Sequence, residues 1–331
     1  MTSAFLGTSS GVSYLTNGTT EHVGLGSERI SAIHAVELGG GKTRILAGTY
    51  ENGLFTSDDE GRSWNEGPDG FWAFCVRWLG DDPLKPGDIL AGTEPGRIFR
   101  SDDRGLSWNE LDGIREIEGH ENWYLPYSPR AGAVRNIYSP AGSNRYLASV
   151  EVGGLLESDD GGKSWTCRHV GVDSDIHYVT GHPNDGSVLF AALGYAGIDH
   201  TPNEDGPEHR GGLARSTDSG QTWTKLFGDY TRGVIIPPTR TDIVIAGPSP
   251  DVGRNGRIEV SRDGGDSWED ASAGIDTPMP DMIEVFVPAP DGSIWAICSG
   301  GRLLSANPDE LVWRDVLNEA DSVRVQSVAY V

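Results

Sequence analysis

The sequence predicts an all-β protein: a closed β-propeller of seven four-stranded antiparallel blades, built as one domain over residues 1–331. Three observations predict it. An eight-residue motif, Ser-x-Asp-x-Gly-x-Ser/Thr-Trp, recurs at Ser57–Trp64, Ser101–Trp108, Ser158–Trp165, Ser216–Trp223 and Ser261–Trp268, and a degenerate copy runs from Ser305 through Asn307 to Trp313. The tryptophans ending these copies stand 44, 57, 58, 45 and 45 residues apart, a basal period that suits one four-stranded blade. Finally, 46 Gly and 19 Pro punctuate short apolar runs, the pattern of many tight turns, and no long amphipathic helix is visible.

Each repeat supplies four strands. The first is apolar, as in Ile30–Val36, Val134–Tyr138 and Val234–Ile236; the second includes Ile45–Gly48, Ile89–Gly92 and Ile243–Gly247. The third, such as Gly53–Thr56 or Gly256–Val260, runs into the motif, and the fourth starts at its Trp. Six sets fit between Ile30 and Val316. The ends make the seventh: Val323–Val331 is the innermost strand, and Ala4–Ser9, Val12–Thr16 and His22–Leu25 follow it. Sharing one blade between the termini closes the ring and removes free sheet edges.

The motif is a hairpin turn that satisfies itself. Its Asp accepts bonds from backbone N–H groups further along, its Gly takes a positive φ, and its Trp fills space between sheets while offering its N–H to a carbonyl. Five acidic loops can suggest calcium, but carboxylates already spent on their own turns read as structural. The pattern resembles the Asp box of the sialidase-like, BNR-repeat propeller families. That resemblance implies that the boxes lie on one face and a ligand site on the other. Two long repeat steps then place insertions on the functional face, at about 111–131 and 194–212, both rich in aromatic and charged residues.

Charge narrows the partners. Against 49 Asp plus Glu stand 26 Lys plus Arg, a net charge of -23 that repels nucleic acid and anionic membranes. Only four of the basic residues are Lys and 22 are Arg, an acid-rich, Lys-poor surface suited to a high-salt cytoplasm. Cys75, Cys167 and Cys298 are odd in number and far apart, which favours reduced core thiols over disulfides or a zinc site. The first ten residues lack signal-peptide character and no window reaches the ~18 apolar residues of a membrane span, so a cytoplasmic location is expected.

Innermost strands line the channel, so polar residues near their starts are the candidate site. Aligned on Ile33, Ile137, Val179, Val234, Val285 and Val328, the strands place Ser31, Arg135, His177, Arg232, Ile283 and Gln326 at one level. Two residues earlier come Arg29, Ala133, Asp175, Tyr230, Asp281 and Arg324. A cluster of Arg in an acidic protein selects a small anionic ligand held bidentately, a carboxylated carbohydrate above all, with Trp123 and Tyr124 of the first insertion as further contacts. The sialidase resemblance implies an Arg-Ile-Pro motif, an Arg triad, a Tyr nucleophile and an Asp acid/base. Here Arg29-Ile30-Ser31 has Ser in place of Pro, Arg135, Arg232 and Arg324 can form the triad, Tyr230 is the candidate nucleophile, and Asp175, Asp281 and Glu284 are candidate carboxyls for glycoside hydrolysis.

Two alternatives stay open. No cofactor is favoured, but His177 with His120 or His209 can hold Mn, Fe or Zn for a lyase or hydrolase on acidic sugars. Equally, box-containing propellers serve as non-enzymatic assembly scaffolds, for which Trp72, Trp123, Tyr124 and Tyr127 are candidate anchors.

Overall fold

The fold comes from a computed structural model, which describes residues 3–125, 128–168, 172, 174–194, 211–318 and 323–331, the side chains of 124–131 excepted. Seven four-stranded antiparallel sheets follow one another around an axis. Blade 1 comprises Ile30–Gly39, Lys42–Thr49, Leu54–Ser57 and Asn65–Glu66. Blades 2 to 6 begin with the first strands Cys75–Asp81, Ala133–Tyr138, Ile176–His182, Tyr230–Ile235 and Ile283–Pro288. Blade 7 joins the termini: Val325–Tyr330 is its innermost strand and pairs with Ala4–Thr8, which pairs in turn with Gly11–Thr16 and Thr19–Gly24.

The expected strands are found with small changes at their ends. In blade 5 the third strand shrinks to Glu259–Ser261, because Gly256 bridges to Met279 of the following segment. Fourth strands are brief, such as Asn65–Glu66 and Asn109–Glu110, and begin after the Trp. The insertion at about 111–131 folds into two short 3-10 helices, Asp112–Glu116 and His120–Asn122, and the hairpin Tyr124–Leu125 with Ser128–Ala131. Most of the other insertion, 195–210, lies outside the described residues.

Blades pack face to face through apolar side chains that alternate along each strand. Close approach is set where the second strand of one blade meets the first of the next. A Cβ added to Gly48 would stand 2.5 Å from Val76, and one on Gly247 2.4 Å from Ile283, so these strands carry glycine where the contact requires it. All three cysteines are free, Cys75 and Cys298 buried and Cys167 half-buried.

The repeated turns close as their chemistry requires. In Ser57–Trp64, Asp59 Oδ1 accepts the Ser63 N–H (2.8 Å), Oδ2 accepts the Ser63 hydroxyl (2.6 Å), the Ser57 hydroxyl accepts the Gly61 N–H (2.8 Å), and Trp64 Nε1 donates to Gly61 O (3.0 Å). Gly61 has φ +86°, and the other four turns repeat both bonds and conformation.

A second repeat was not visible in the sequence: an Arg from one blade reaches the turn of the next. Arg44 donates to Arg104 O (3.0 Å), Arg100 to Gly161 O (3.2 Å), Arg145 to Ser219 O (2.7 Å) and Arg215 to Gly264 O (2.6 Å). In every case the acceptor is the carbonyl just before the motif glycine. At the joint to blade 6, Arg240 instead meets the Asp309 carboxylate at 2.5 Å. Among the described residues no such latch joins blade 7 to either neighbour, since its corresponding turn is only Asn17-Gly18.

Candidate functional site

Every first strand carries a β-bulge at one level. Pairing skips a single residue at Ser31, Arg77, Arg135, His177, Glu284 and Gln326, and in blade 5 Arg232 and Gly233 together face Gly247. A bulge leaves its extra residue outside the ladder and turns its side chain away from the regular alternation. All seven bulge residues line one cavity of about 360 Å³, which lies on the axis because every blade contributes to it.

Among the described residues the cavity wall holds three guanidinium groups. Arg77 is braced by the buried Glu94 carboxylate and lies 3.5 Å from Glu151, with Tyr50 beneath it at 5.3 Å. Arg135 Nη1 is 3.3 Å from Glu151 Oε2 and its Nη2 is 3.9 Å from Glu284 Oε2. Arg232 Nη1 meets Glu284 Oε1 at 2.6 Å, and its Nε donates to the Tyr230 hydroxyl at 3.0 Å. Burial works against the Arg232 charge, but Glu284, Tyr230 and Glu151 outweigh it and hold its pKa above the usual range.

Behind this wall the Tyr230 hydroxyl lies 2.8 Å from His177 Nε2, and Asp175 Oδ1 lies 3.3 Å from that same nitrogen. His177 Nδ1 is buried with no hydrogen-bond partner among the described residues. A relay would need the carboxylate on the other ring nitrogen, so the three groups form a hydrogen-bonded cluster. Burial pushes the Tyr230 phenol well above its ordinary pKa, which is the opposite of an activated nucleophile.

Several expected site residues lie elsewhere. Arg29 is exposed on the rim, its guanidinium 4.5 Å above the Tyr50 ring, and Arg324 is exposed without lining the cavity, so Arg135, Arg232 and Arg324 form no triad. Asp175 is buried behind the wall. Asp281 is also buried, with Oδ1 unbonded among the described residues, and desolvation raises its pKa against the Gly300 N–H and Arg302. Neither lines the cavity, where Glu284 is the sole carboxylate among the described residues. Trp123 belongs to the blade 3 core, against Val150 and Ile114, because the insertion folds back on its own blade. The Tyr124 and Tyr127 side chains and His209 lie outside the described residues.

His120 packs edge-on against Trp123, with Nδ1 3.0 Å from Ile117 O, and does not join His177. The metal-sized grouping among the described residues is Glu151, Asp175 and His177, whose donor atoms lie within 4.8 Å of one another. Arg77 and Arg135 already neutralise Glu151, and Tyr230 occupies His177, so this donor set fits a cation poorly.

Sequence reasoning missed Arg77, Glu94 and Glu151. Arg77 was legible: Val76-Arg77-Trp78 repeats the small-Arg-larger pattern of Val134-Arg135-Asn136. The two glutamates end second strands, where nothing in the alternation marks them.

No protein-family model matches the chain. Among curated proteins, the photosystem II assembly lipoprotein Ycf48 of Synechococcus sp. (strain CC9902) is 27% identical over 194 residues, 57% of this chain and 48% of that protein. The chain thus spans about half the length of the curated relative it matches. A GH74 xyloglucanase from Xanthomonas campestris superposes with a TM-score of 0.66 at 16% identity, covering 98% of this chain and 52% of that one. Ycf48 from Cyanidioschyzon merolae gives 0.60 at 16%, covering 92% and 90%, and a structure of Ycf48 bound to D1 peptide gives 0.56 at 17%, covering 88% and 85%. At such identities these structures speak for the fold: a seven-bladed propeller like those of GH74 enzymes and Ycf48.

Proposed function

We propose that this propeller is a binding protein that takes a carboxylate-bearing segment of a partner protein into the ring of bulge residues. One observation carries the reading: three arginines face a cavity where Glu284, the single lining carboxylate among the described residues, bonds to Arg232 and stops 3.9 Å short of Arg135. Glycoside hydrolysis by the common routes needs two carboxyls flanking the bond. Binding needs only the donors. Arg135 is ion-paired with Glu151 at 3.3 Å and Glu284 at 3.9 Å but makes no hydrogen bond among the described residues, so an anion at bonding distance would complete its fork of N–H groups.

The rim supports a protein partner. Phe74 is 69% exposed and stands three residues before Arg77, within about 10 Å of chain from the ring. Trp72 is half-exposed beside it, with Arg115 5.4 Å over its ring. Exposed aromatic side chains next to a polar pocket are the usual anchors of protein interfaces. The likeness to Ycf48, one structure of which holds a D1 peptide, agrees with this reading.

The test is calorimetric titration with pooled random octapeptides carrying a free C-terminal carboxylate, against the same pools amidated, and against glucuronate and sialate. Free-acid peptides are expected to bind and amidated ones to bind at least tenfold more weakly. Tight sugar-acid binding with release of sugar from an aryl glycoside would restore the acidic-carbohydrate hydrolase and overturn the scaffold.

A further inference from the structure

We infer that Glu284 is a built-in surrogate for the ligand, a carboxylate of the protein that occupies the anion position and must leave when a partner arrives. The inference rests on the binding reading above and adds to it how affinity is set and which chemical group is admitted.

Glu284 rises from blade 6, but its two oxygens address different blades: Oε1 meets Arg232 of blade 5 at 2.6 Å, and Oε2 points to Arg135 of blade 3 at 3.9 Å. The first contact is a close charge-assisted bond and the second is too long to be one. The tether to blade 6 therefore holds this carboxylate against one arginine and short of the other. A free carboxylate, with no backbone to restrain it, can sit between the two guanidinium groups and bond to both.

Exposure separates Glu284 from the acids behind the wall. Its side chain is 22% exposed, against 4% for Glu94 and 3% for Glu151. The buried pair is fixed against the buried Arg77, and withdrawing it would leave that guanidinium without its counter-charges. Glu284 can swing into the channel, and exchanging one carboxylate for another leaves the charge of the ring unchanged. The cost of displacing it then lowers the apparent affinity for any ligand by the fraction of molecules in which Glu284 is already out.

The experiment uses acetate as the probe and acetamide as its neutral counterpart, with binding read from arginine side-chain N–H resonances in the full chain. Glu284→Gln is expected to bind acetate at least tenfold more tightly than the parent, and Arg232→Ala in that background to abolish the gain. Glu284→Ala should melt lower than the parent and recover with millimolar acetate, and not with acetamide. If that variant fails to fold, Glu284→Gln carries the test alone. A folded Glu284 variant that binds acetate no better than a parent which does bind it overturns the surrogate and leaves the site standing. Absence of acetate and free-acid peptide binding from all forms overturns both.

Discussion

The two ends of this propeller use the same residue types to opposite effect. At the turn face, Asp59 and its counterparts accept bonds from their own loops, and each latching Arg ends on the carbonyl of a neighbouring turn. At the mouth, Arg135 lies 3.3 and 3.9 Å from its acids without a hydrogen bond among the described residues, and His177 Nδ1 is buried with no partner among them. Five copies of the turn are chemically alike, whereas the seven bulge residues span five residue types. The contrast teaches that self-satisfied polar groups hold a fold, while a surplus of donors marks the place where something else is expected.

The sharpest way to break that contrast is at Asp82, whose buried carboxylate accepts the Tyr146 hydroxyl (2.7 Å) and Arg100 Nε (3.0 Å) and so anchors the latch between blades 2 and 3. Asp82→Ala is expected to cost about 3–5 kcal/mol by stranding buried partners, read by denaturant unfolding, with peptide affinity in the folded fraction unchanged. At the mouth the order reverses. Arg135→Ala with Arg232→Ala should weaken free-acid peptide binding by about a hundredfold, the loss of two charge-assisted contacts, while shifting Tm far less than Asp82→Ala.

A single turn should matter less than a latch: Asp160→Ala is expected to lower Tm by less than Asp82→Ala and to leave binding untouched. The smallest effect is collective and depends on pH. Hydrogen bonds from Ser63, Ser164, Thr222 and Ser267 hold Asp59, Asp160, Asp218 and Asp263 at a pKa of about 2. Their unfolded values lie near 3.9, so the stabilisation is complete above about pH 4 and is lost as pH falls through about 2. Acid titration of the folded fraction by circular dichroism checks this, and stability flat from pH 4 to 2 would remove the turns from the account.

The sequence made the repeats legible because their chemistry is local: Ser, Asp, Gly and Trp act within eight residues of one another. Closure through the termini was equally legible, since Ala4–Thr8 and Val325–Tyr330 were the strands left without a blade. The mouth was readable only in part. Five of six aligned residues fell on the bulge level, but Ile283-Glu284-Val285-Phe286-Val287 is apolar at both phases, and alternation could not choose between Ile283 and Glu284. Phe286, packed against Trp313, decides it, and that contact is 27 residues away in sequence. Trp123 was misplaced for a similar reason. Whether an aromatic residue in an insertion points out or folds back onto its own blade is a tertiary fact.

The bulges carry one more consequence. A residue left out of the ladder can be exchanged without shifting the register of its strand, so the backbone tolerates change at each of the seven positions, and only side-chain partners such as Glu94 and Glu151 at Arg77 hold a choice in place. The mouth is in effect a seven-letter word, spelled Ser, Arg, Arg, His, Arg, Glu, Gln in chain order, and its spelling sets what enters. Rewriting one letter at a time would make a family of receptors from one chain, each with its own selectivity and all with the same fold.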